Sequence, residues 1–79
     1  MASTYTVAVN QEASEEVTGG RVGHFLLKVV DGGDYFLGED DTGIQIGSTY
    51  AFYVTSPDEV FLYNQAPSTT GHVKVFHNR

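Results

Sequence analysis

Hydrophobic and polar positions alternate with a period of two along most of the chain. Short apolar or aromatic runs are separated by clusters of Gly, Pro, Asn, Asp and Ser, a pattern typical of β-strands joined by turns. We therefore expect one all-β domain over residues 1–79, a single small antiparallel β-sandwich or barrel of six to seven short strands joined by hairpin turns. The predicted strands are 4–10, 22–30, 34–38, 43–46, 49–55, 59–64 and 71–77.

The segment 11–20, QEASEEVTGG, interrupts this pattern. It has one apolar residue of any size, Val17, and it ends in two glycines, which are poor helix formers. It is the one candidate for a helical turn, and a polar loop is the favoured interpretation.

Three short segments recur in the same order in the two halves of the chain. STY at 3–5 returns at 48–50, EEV at 15–17 is followed by DEV at 58–60, and GHFLLKV at 23–29 is followed by GHVKV at 71–75. Short strand motifs coincide easily, and chance repetition is the favoured interpretation; the alternative is an internal duplication that gives a sheet with an approximate twofold axis.

Residues 49–64 contain the most informative run, in which SPD at 56–58 is predicted to be a hairpin loop. In that register both faces of the hairpin are apolar or aromatic, whereas a half-exposed sheet has one polar face. One interpretation is a central hairpin that is covered on both sides. The other is an exposed patch that binds a partner or ligand, with Tyr53, Phe61 and Tyr63 as the candidate residues.

Composition narrows the possible functions. Ten acidic and four scattered basic residues give a net charge of −6, so binding to nucleic acid or to an anionic membrane is not expected. Cysteine is absent, which excludes disulfides and thiolate zinc sites. The chain has only two lysines, and both of its prolines fall in predicted loops. The edge strands therefore have few of the residues that normally prevent pairing with another chain. We therefore expect a homo-oligomer or a place in a larger protein assembly.

Acidic residues cluster with glycines between Val29 and Gly47. Carboxylates on neighbouring loops are suitable Ca²⁺ ligands, although the EF-hand spacing is missing. Asp-Gly-Gly and Glu-Asp-Asp-Thr-Gly are also strong turn signals, and the turn interpretation is favoured. No cofactor or metal is predicted, and the weak calcium candidates are Asp31, Asp34, Glu39, Asp40 and Asp41.

The three histidines do not form an evident metal site. His72 and His77 lie five residues apart on one predicted strand and so point to opposite faces. His24 could approach His72 if their strands are neighbours, but no third ligand is evident. A transition-metal site is therefore not expected.

The sequence contains no nucleophile elbow and no phosphate-binding loop, so an enzyme is not expected. The amino-terminal residues lack the features of a secretion signal, which predicts cytosolic synthesis and is compatible with a virion component. The first hypothesis is a non-catalytic structural or assembly protein that uses aromatic sheet faces and edge strands, such as a small viral capsid-decorating or tail component. The alternative is a small ligand-binding module of the carbohydrate type with an aromatic stacking surface.

Overall fold

The computed structural model describes residues 2–56, 60–66 and 68–79. These residues form eight β-strands and no helix. The all-β prediction is confirmed, and the strand count exceeds the predicted six to seven. The strands are β1 (Ala2–Val9), β2 (Ala13–Glu16), β3 (Gly23–Asp31), β4 (Tyr35–Leu37), β5 (Ile44–Ile46), β6 (Thr49–Val54), β7 (Phe61–Asn64) and β8 (Gly71–Asn78).

The strands form two antiparallel sheets of four strands each. Sheet A has the order β1-β8-β3-β6, and sheet B has the order β2-β7-β4-β5. Each sheet ends in two edge strands, so the molecule is not a closed barrel. The additional strand is β2, which lies in the segment predicted to be a polar loop. Its polar sequence ASEE is tolerated because β2 is an edge strand, held through the backbone of its one neighbour, β7.

The connections between strands differ from the prediction. Among the described strands, the hairpin between β4 and β5 is the one connection that joins consecutive strands of the same sheet. Every other consecutive pair lies in different sheets. The prediction of strands joined by hairpin turns is therefore wrong, and so is the predicted hairpin over residues 49–64, because β6 pairs with β3 while β7 pairs with β2 and β4. The predicted loop residues 57 and 58, and Glu59, lie outside the described residues.

One hydrophobic core is shared by the two sheets. Phe25, Leu27 and Val75 from sheet A pack in the same cluster as Tyr35 and Leu62 from sheet B. Along β3 and β8 every second residue is buried, as expected for strands with one face in the core. The opposite face of each sheet points away from the core, toward the surface of the molecule.

Two buried polar side chains connect the strands around this core. The Asn64 amide donates to the carbonyl oxygens of Val9 and Thr69, at 3.1 and 3.0 Å, and its oxygen accepts from the backbone nitrogens of Gly33 and Ala66, at 3.3 and 3.0 Å. Asn64 is fully buried, and these four bonds use its full donor capacity and both lone pairs of its oxygen. It therefore acts as a polar junction between sheet B and the ends of sheet A strands.

Tyr35 makes the second connection. Its hydroxyl donates to the Asp31 carbonyl oxygen at 2.7 Å, which links β4 of sheet B to the end of β3 in sheet A. The same hydroxyl lies against Gly71, where a Cβ atom would overlap it. Residue 71 therefore has to be glycine for the tyrosine to reach its acceptor.

The strand order has the symmetry that the duplication alternative requires. Exchanging β1 with β6 and β3 with β8 turns the order β1-β8-β3-β6 into β6-β3-β8-β1, which is the same sheet read from its other edge. Tyr5 and Tyr50, from the repeated STY, end one cross-strand row with Val75 and Leu27 between them. In sheet B the corresponding strands β2 and β7 are neighbours. The β4–β5 hairpin has no counterpart in the described part of the second half.

Candidate functional site: the outer faces of the two sheets

The structure does not bring the three predicted site residues together. Tyr53 lies on β6 and points outward from sheet A, with 58 % of its surface exposed. Phe61 and Tyr63 lie on β7 and alternate with the buried Leu62 and Asn64, so they point outward from sheet B. The three aromatic side chains therefore occupy opposite sides of the molecule. Their predicted grouping depended on the hairpin register that the strand pairing overturns.

The outer face of sheet A is formed by every second residue of its four strands. We call this set of side chains the A face. Cross-strand pairing arranges them in rows, two of which are Ala2–Asn78–His24–Tyr53 and Thr4–Phe76–Leu26–Ala51. The remaining members of the A face are Thr6, Ala8, Lys28, Val30, Thr49, His72 and Lys74.

A shallow groove crosses the A face between these two rows. Its volume is about 580 Å³, and its walls come from three consecutive residues of each of the four strands. The middle residues Phe25, Phe52 and His77 point toward the core, and the middle residue of the β1 triplet, Ser3, is exposed at the sheet edge. The backbone of the triplets therefore forms the floor, and the outward side chains form the two walls. The largest of these outward side chains are His24, Leu26, Tyr53 and Phe76. The groove surface is mainly apolar.

Aromatic and apolar contacts organise this groove. The His24 and Tyr53 rings are cross-strand neighbours with centroids 4.6 Å apart and planes tilted by 60°. Leu26 is directly opposite Phe76 on one side and Ala51 on the other. Leu26 is 39 % exposed although it stands in the middle of the sheet. The groove therefore presents a continuous apolar surface for contact with another molecule.

The next row of the A face contains both lysines of the protein. Lys28 and Lys74 are direct cross-strand partners, with Thr49 and Thr6 completing the row. The Lys74 ammonium lies 5.5 Å from the centre of the Phe76 ring, within the range of a cation–π contact. Two positive charges therefore border the apolar groove.

One end of the A face carries a histidine–carboxylate pair. His72 Nδ1 and an Asp31 carboxylate oxygen are 2.9 Å apart, and both side chains are partly exposed. Asp31 is the one acidic residue on the strands of sheet A. With its carboxylate turned toward His72, it leaves the charge of the two lysines unpaired.

The outer face of sheet B, which we call the B face, has a different character. Neither lysine nor arginine occurs on any described strand of sheet B. Ser14, Tyr63, Phe36 and Gln45 form one cross-strand row, and Glu16 is opposite Phe61 in the next pair. The B face is therefore aromatic at its centre, and its one formally charged strand residue is acidic.

Acidic turns surround the centre of the B face. Partial burial, and then the negative charges of Glu12, Asp41 and Asp40, raise the pKa of the Tyr63 hydroxyl. The geometry agrees: the Asp41 carboxylate lies 3.4 Å from the side-chain amide of Gln65, two residues after Tyr63, and Glu39 lines a shallow pocket together with Phe61. The B face therefore combines aromatic side chains with an acidic border.

The five calcium candidates are not gathered into one site. Asp31 pairs with His72, and the Asp40 carboxylate accepts hydrogen bonds from the Thr42 backbone nitrogen and hydroxyl. These bonds hold the pKa of Asp40 below its usual value. They form a local turn that closes on itself, the arrangement expected of Asp in a turn. Among the described residues, no group of three His, Asp or Glu side chains could hold a metal ion.

The histidines are also separated. His24 lies in the groove and His72 pairs with Asp31, whereas His77 is buried beneath sheet A. The His77 ring packs on Phe25 with centroids 4.6 Å apart, and its Nε2 lies 2.6 Å from the Val22 carbonyl oxygen. Because Nε2 is hydrogen-bonded to this carbonyl oxygen and the ring packs on Phe25, His77 has a structural role in the core.

Sequence reasoning missed two features of the A face. The pairing of Lys28 with Lys74 was not predicted, although both occur in the repeated segments at 23–29 and 71–75. A repeat whose copies pair across a twofold axis places equivalent residues near each other, so these two similar strands were the available signal. The outward position of Leu26 and Phe76 had a signal in the alternation, which places Leu26 on the same mixed strand face as Lys28, and Phe76 on the same face as Lys74.

Comparison with protein-family models, with curated proteins and with solved structures found no match. No helix of the described residues is long and apolar enough to cross a bilayer.

Proposed function

We propose that this chain is a non-catalytic assembly module, a two-sheet sandwich that makes protein–protein contacts through the A face. The observation that carries the proposal is the apolar groove across the centre of an outward sheet face. Leu26, Phe76 and Tyr53 lie there instead of the polar residues that normally cover the solvent side of an antiparallel sheet. Exposed aromatic and apolar surface bordered by charge is typical of interface centres.

Sedimentation velocity over a range of protein concentrations tests this function. We expect concentration-dependent self-association of the wild-type chain, and at least tenfold weaker association of Leu26→Thr. Threonine keeps the preference for a strand and removes the apolar contact. The matched control is Ile44→Thr, which changes an equally apolar side chain that is 69 % exposed at the edge of sheet B. A strictly monomeric wild type, or equal effects of the two variants, would contradict the proposal.

A second function is favoured by the shape of the same groove. Its volume of about 580 Å³ is in the range of small-ligand sites. The exposed Tyr53 ring, held against His24, is suitably placed to stack on a flat ligand such as a sugar ring. In this alternative the module binds a carbohydrate-type ligand lying across the strands.

Oligosaccharide titration followed by NMR distinguishes this alternative. If the groove binds sugars, shifts should centre on β3 and β6, and Tyr53→Ala should abolish them. Tyr63→Ala removes the same ring from the B face and should leave them unchanged. Absence of any shift across a broad oligosaccharide set would leave assembly as the proposed function.

The setting suggested for the assembly module by its size and charge is a viral particle, on a capsid or a tail.

A further inference from the structure

Charge is divided unevenly between the two faces. The strands of sheet A carry both lysines, and their one acidic residue, Asp31, is paired with His72. The strands of sheet B carry no basic residue, and carboxylates lie beside their aromatic side chains: Glu16 is opposite Phe61, and Asp41 lies 3.4 Å from the side-chain amide of Gln65, two residues after Tyr63. The negative charge of Glu12 also acts on Tyr63. In a chain with a net charge of −6, the one predominantly basic sheet face is therefore also the face with the apolar groove.

The placement of the lysines is unfavourable for the isolated molecule. Like charges directly opposite each other on neighbouring strands are destabilising. The ion pair between His72 and Asp31 is the one found among the described residues, so neither Lys28 nor Lys74 has an intramolecular carboxylate partner there. Carboxylates supplied by another molecule would relieve this repulsion.

We propose that the A face of one copy binds the B face of a second copy. This inference rests on the proposed assembly function and names its partner. Lys28 and Lys74 would approach the carboxylates around Tyr63, while Leu26 and Phe76 would contact the aromatic centre of the B face. Complementary potentials of this kind give specificity and orient the partners.

A contact between two A faces is less favourable on the same grounds. It would bring four lysine side chains together against two Asp31 carboxylates, each of which already bonds its own His72, and like-charge contacts across an interface are strongly disfavoured. The outer surface of the same chain that is both aromatic and acidic is the B face. Charge complementarity therefore selects the B face of another copy as the occupant.

The geometry of this contact has a consequence for the assembly. Two different surfaces meet, so each bound copy still offers one unoccupied A face and one unoccupied B face. Such a head-to-tail contact extends into a chain or closes into a ring. Four strands about 4.8 Å apart and eight residues long at about 3.3 Å each give a face on the order of 500 Å². That is less than the roughly 800 Å² per partner of a typical stable complex, so we expect weak, salt-sensitive association.

Reciprocal charge reversal tests the proposal. One variant carries Lys28→Glu and Lys74→Glu on the A face, and the other carries Glu12→Lys and Asp41→Lys beside the B face. We expect each variant alone to associate at least tenfold more weakly than the wild type in low salt. An equimolar mixture should recover association, because each altered face then meets a face of opposite charge.

A matched control separates the specific contact from the effect of net charge. Glu15→Lys with Asp34→Lys raises the net charge from −6 to −2, as the B-face variant does, but changes two carboxylates that are not among those whose charge acts on Tyr63. It should associate at least as well as the wild type. Far-UV circular dichroism and melting curves establish that each variant is folded.

The outcomes distinguish this inference from the proposed function. If Leu26→Thr abolishes association while the B-face variant associates normally, assembly through the A face stands and its B-face partner is wrong. If the mixture of the two reversed variants stays monomeric, the head-to-tail contact is also overturned. If no form of the protein associates, the assembly function itself is wrong.

Discussion

The A face and the B face follow the same construction rule, and yet they differ in charge. In both, outward residues alternate with buried ones along antiparallel strands, and aromatic side chains lie at the centre. Lysines border the aromatic surface on the A face, whereas carboxylates border it on the B face. The fold requires only that the inward residues be apolar, so it does not explain this separation of charge.

The comparison shows which observations carry functional information in a domain this small. Acidic residues in turns are expected for solubility and turn formation and by themselves indicate little. Two lysines placed directly opposite each other on a strand pair are not needed for either purpose. The lysine pair is informative because the other face is bordered by carboxylates.

The largest expected effect comes from breaking the junction that keeps the two faces on opposite sides of one core. Asn64→Ala removes four hydrogen bonds from backbone groups of Val9, Thr69, Gly33 and Ala66. Each buried group left without a partner costs about 1–3 kcal/mol, so we expect a loss of about 3 kcal/mol or more in the free energy of unfolding. Urea denaturation followed by circular dichroism measures it.

The neighbouring residue provides the control for that experiment. Gln65 is exposed, and its side chain makes one long contact of 3.4 Å with Asp41. Gln65→Ala should change the free energy of unfolding by less than about 0.5 kcal/mol, as is usual for surface positions. Equal losses for the two variants would show that Asn64 is not the junction described above.

An intermediate effect is expected at the bond between β4 and the end of β3. Burial, and then the charge of Asp31, raise the pKa of Tyr35 to about 12 from the ordinary 10.0. The folded state therefore favours the protonated phenol. Its contribution to stability is fully present below pH 10 and is lost as the pH rises from 10 to about 12. Unfolding midpoints between pH 8 and 12 should fall over this interval.

Tyr35→Phe identifies the group responsible for this pH dependence. It removes the hydrogen bond to the Asp31 carbonyl, at a cost of about 1 kcal/mol at neutral pH. It should also flatten the fall in stability above pH 10. Tyr53→Phe, at an exposed position on the A face, should leave the alkaline fall unchanged. An unchanged alkaline slope in Tyr35→Phe would contradict the assignment.

The smallest expected effect has the opposite sign and makes the comparison of the faces sharper. Lys28→Thr removes the cross-strand repulsion with Lys74, and threonine suits an exposed strand position. We expect the monomer to gain about 0.2–1 kcal/mol of stability in low salt, and less in high salt. Association through the A face should weaken at the same time.

Lys74→Thr is the matched variant. It relieves the same repulsion but also loses the contact between its ammonium and the Phe76 ring, so its gain should be smaller than that of Lys28→Thr. Denaturation at two salt concentrations measures both effects. Destabilisation by Lys28→Thr would show that the lysine pair is not a source of strain in the isolated chain.

The positions of most strands were predictable because alternation is a local property. The predicted strand at 22–30 became Gly23–Asp31, and the one at 49–55 became Thr49–Val54. The strand Ala13–Glu16 was missed because an edge strand needs little apolar sequence once a neighbour supplies the backbone partners.

Partner choice was not predictable from the same local pattern. The run 49–64 indicated two strands separated by a turn. A hairpin within one sheet and a connection between two sheets give this same sequence pattern. Tyr53 and Tyr63 were therefore assigned to one surface and lie on two. The finding that both faces of the supposed hairpin were apolar was correct as a pattern. Its physical reason is that each strand has a core-facing side and an outer side in a different sheet.

The position of β8 in sheet A has a consequence for how the protein is made. This strand lies between β1 and β3, so one of the two central strands of sheet A is the last of the described strands to be synthesised. Until it leaves the ribosome, β1 has no neighbour in its own sheet and one edge of β3 is unpaired. Because few pairings link strands that are adjacent in sequence, folding should be slow for the chain length, and sheet A should form only after β8 has been synthesised. The apolar outer residues of β3 and β6 would meanwhile be accessible to chaperones.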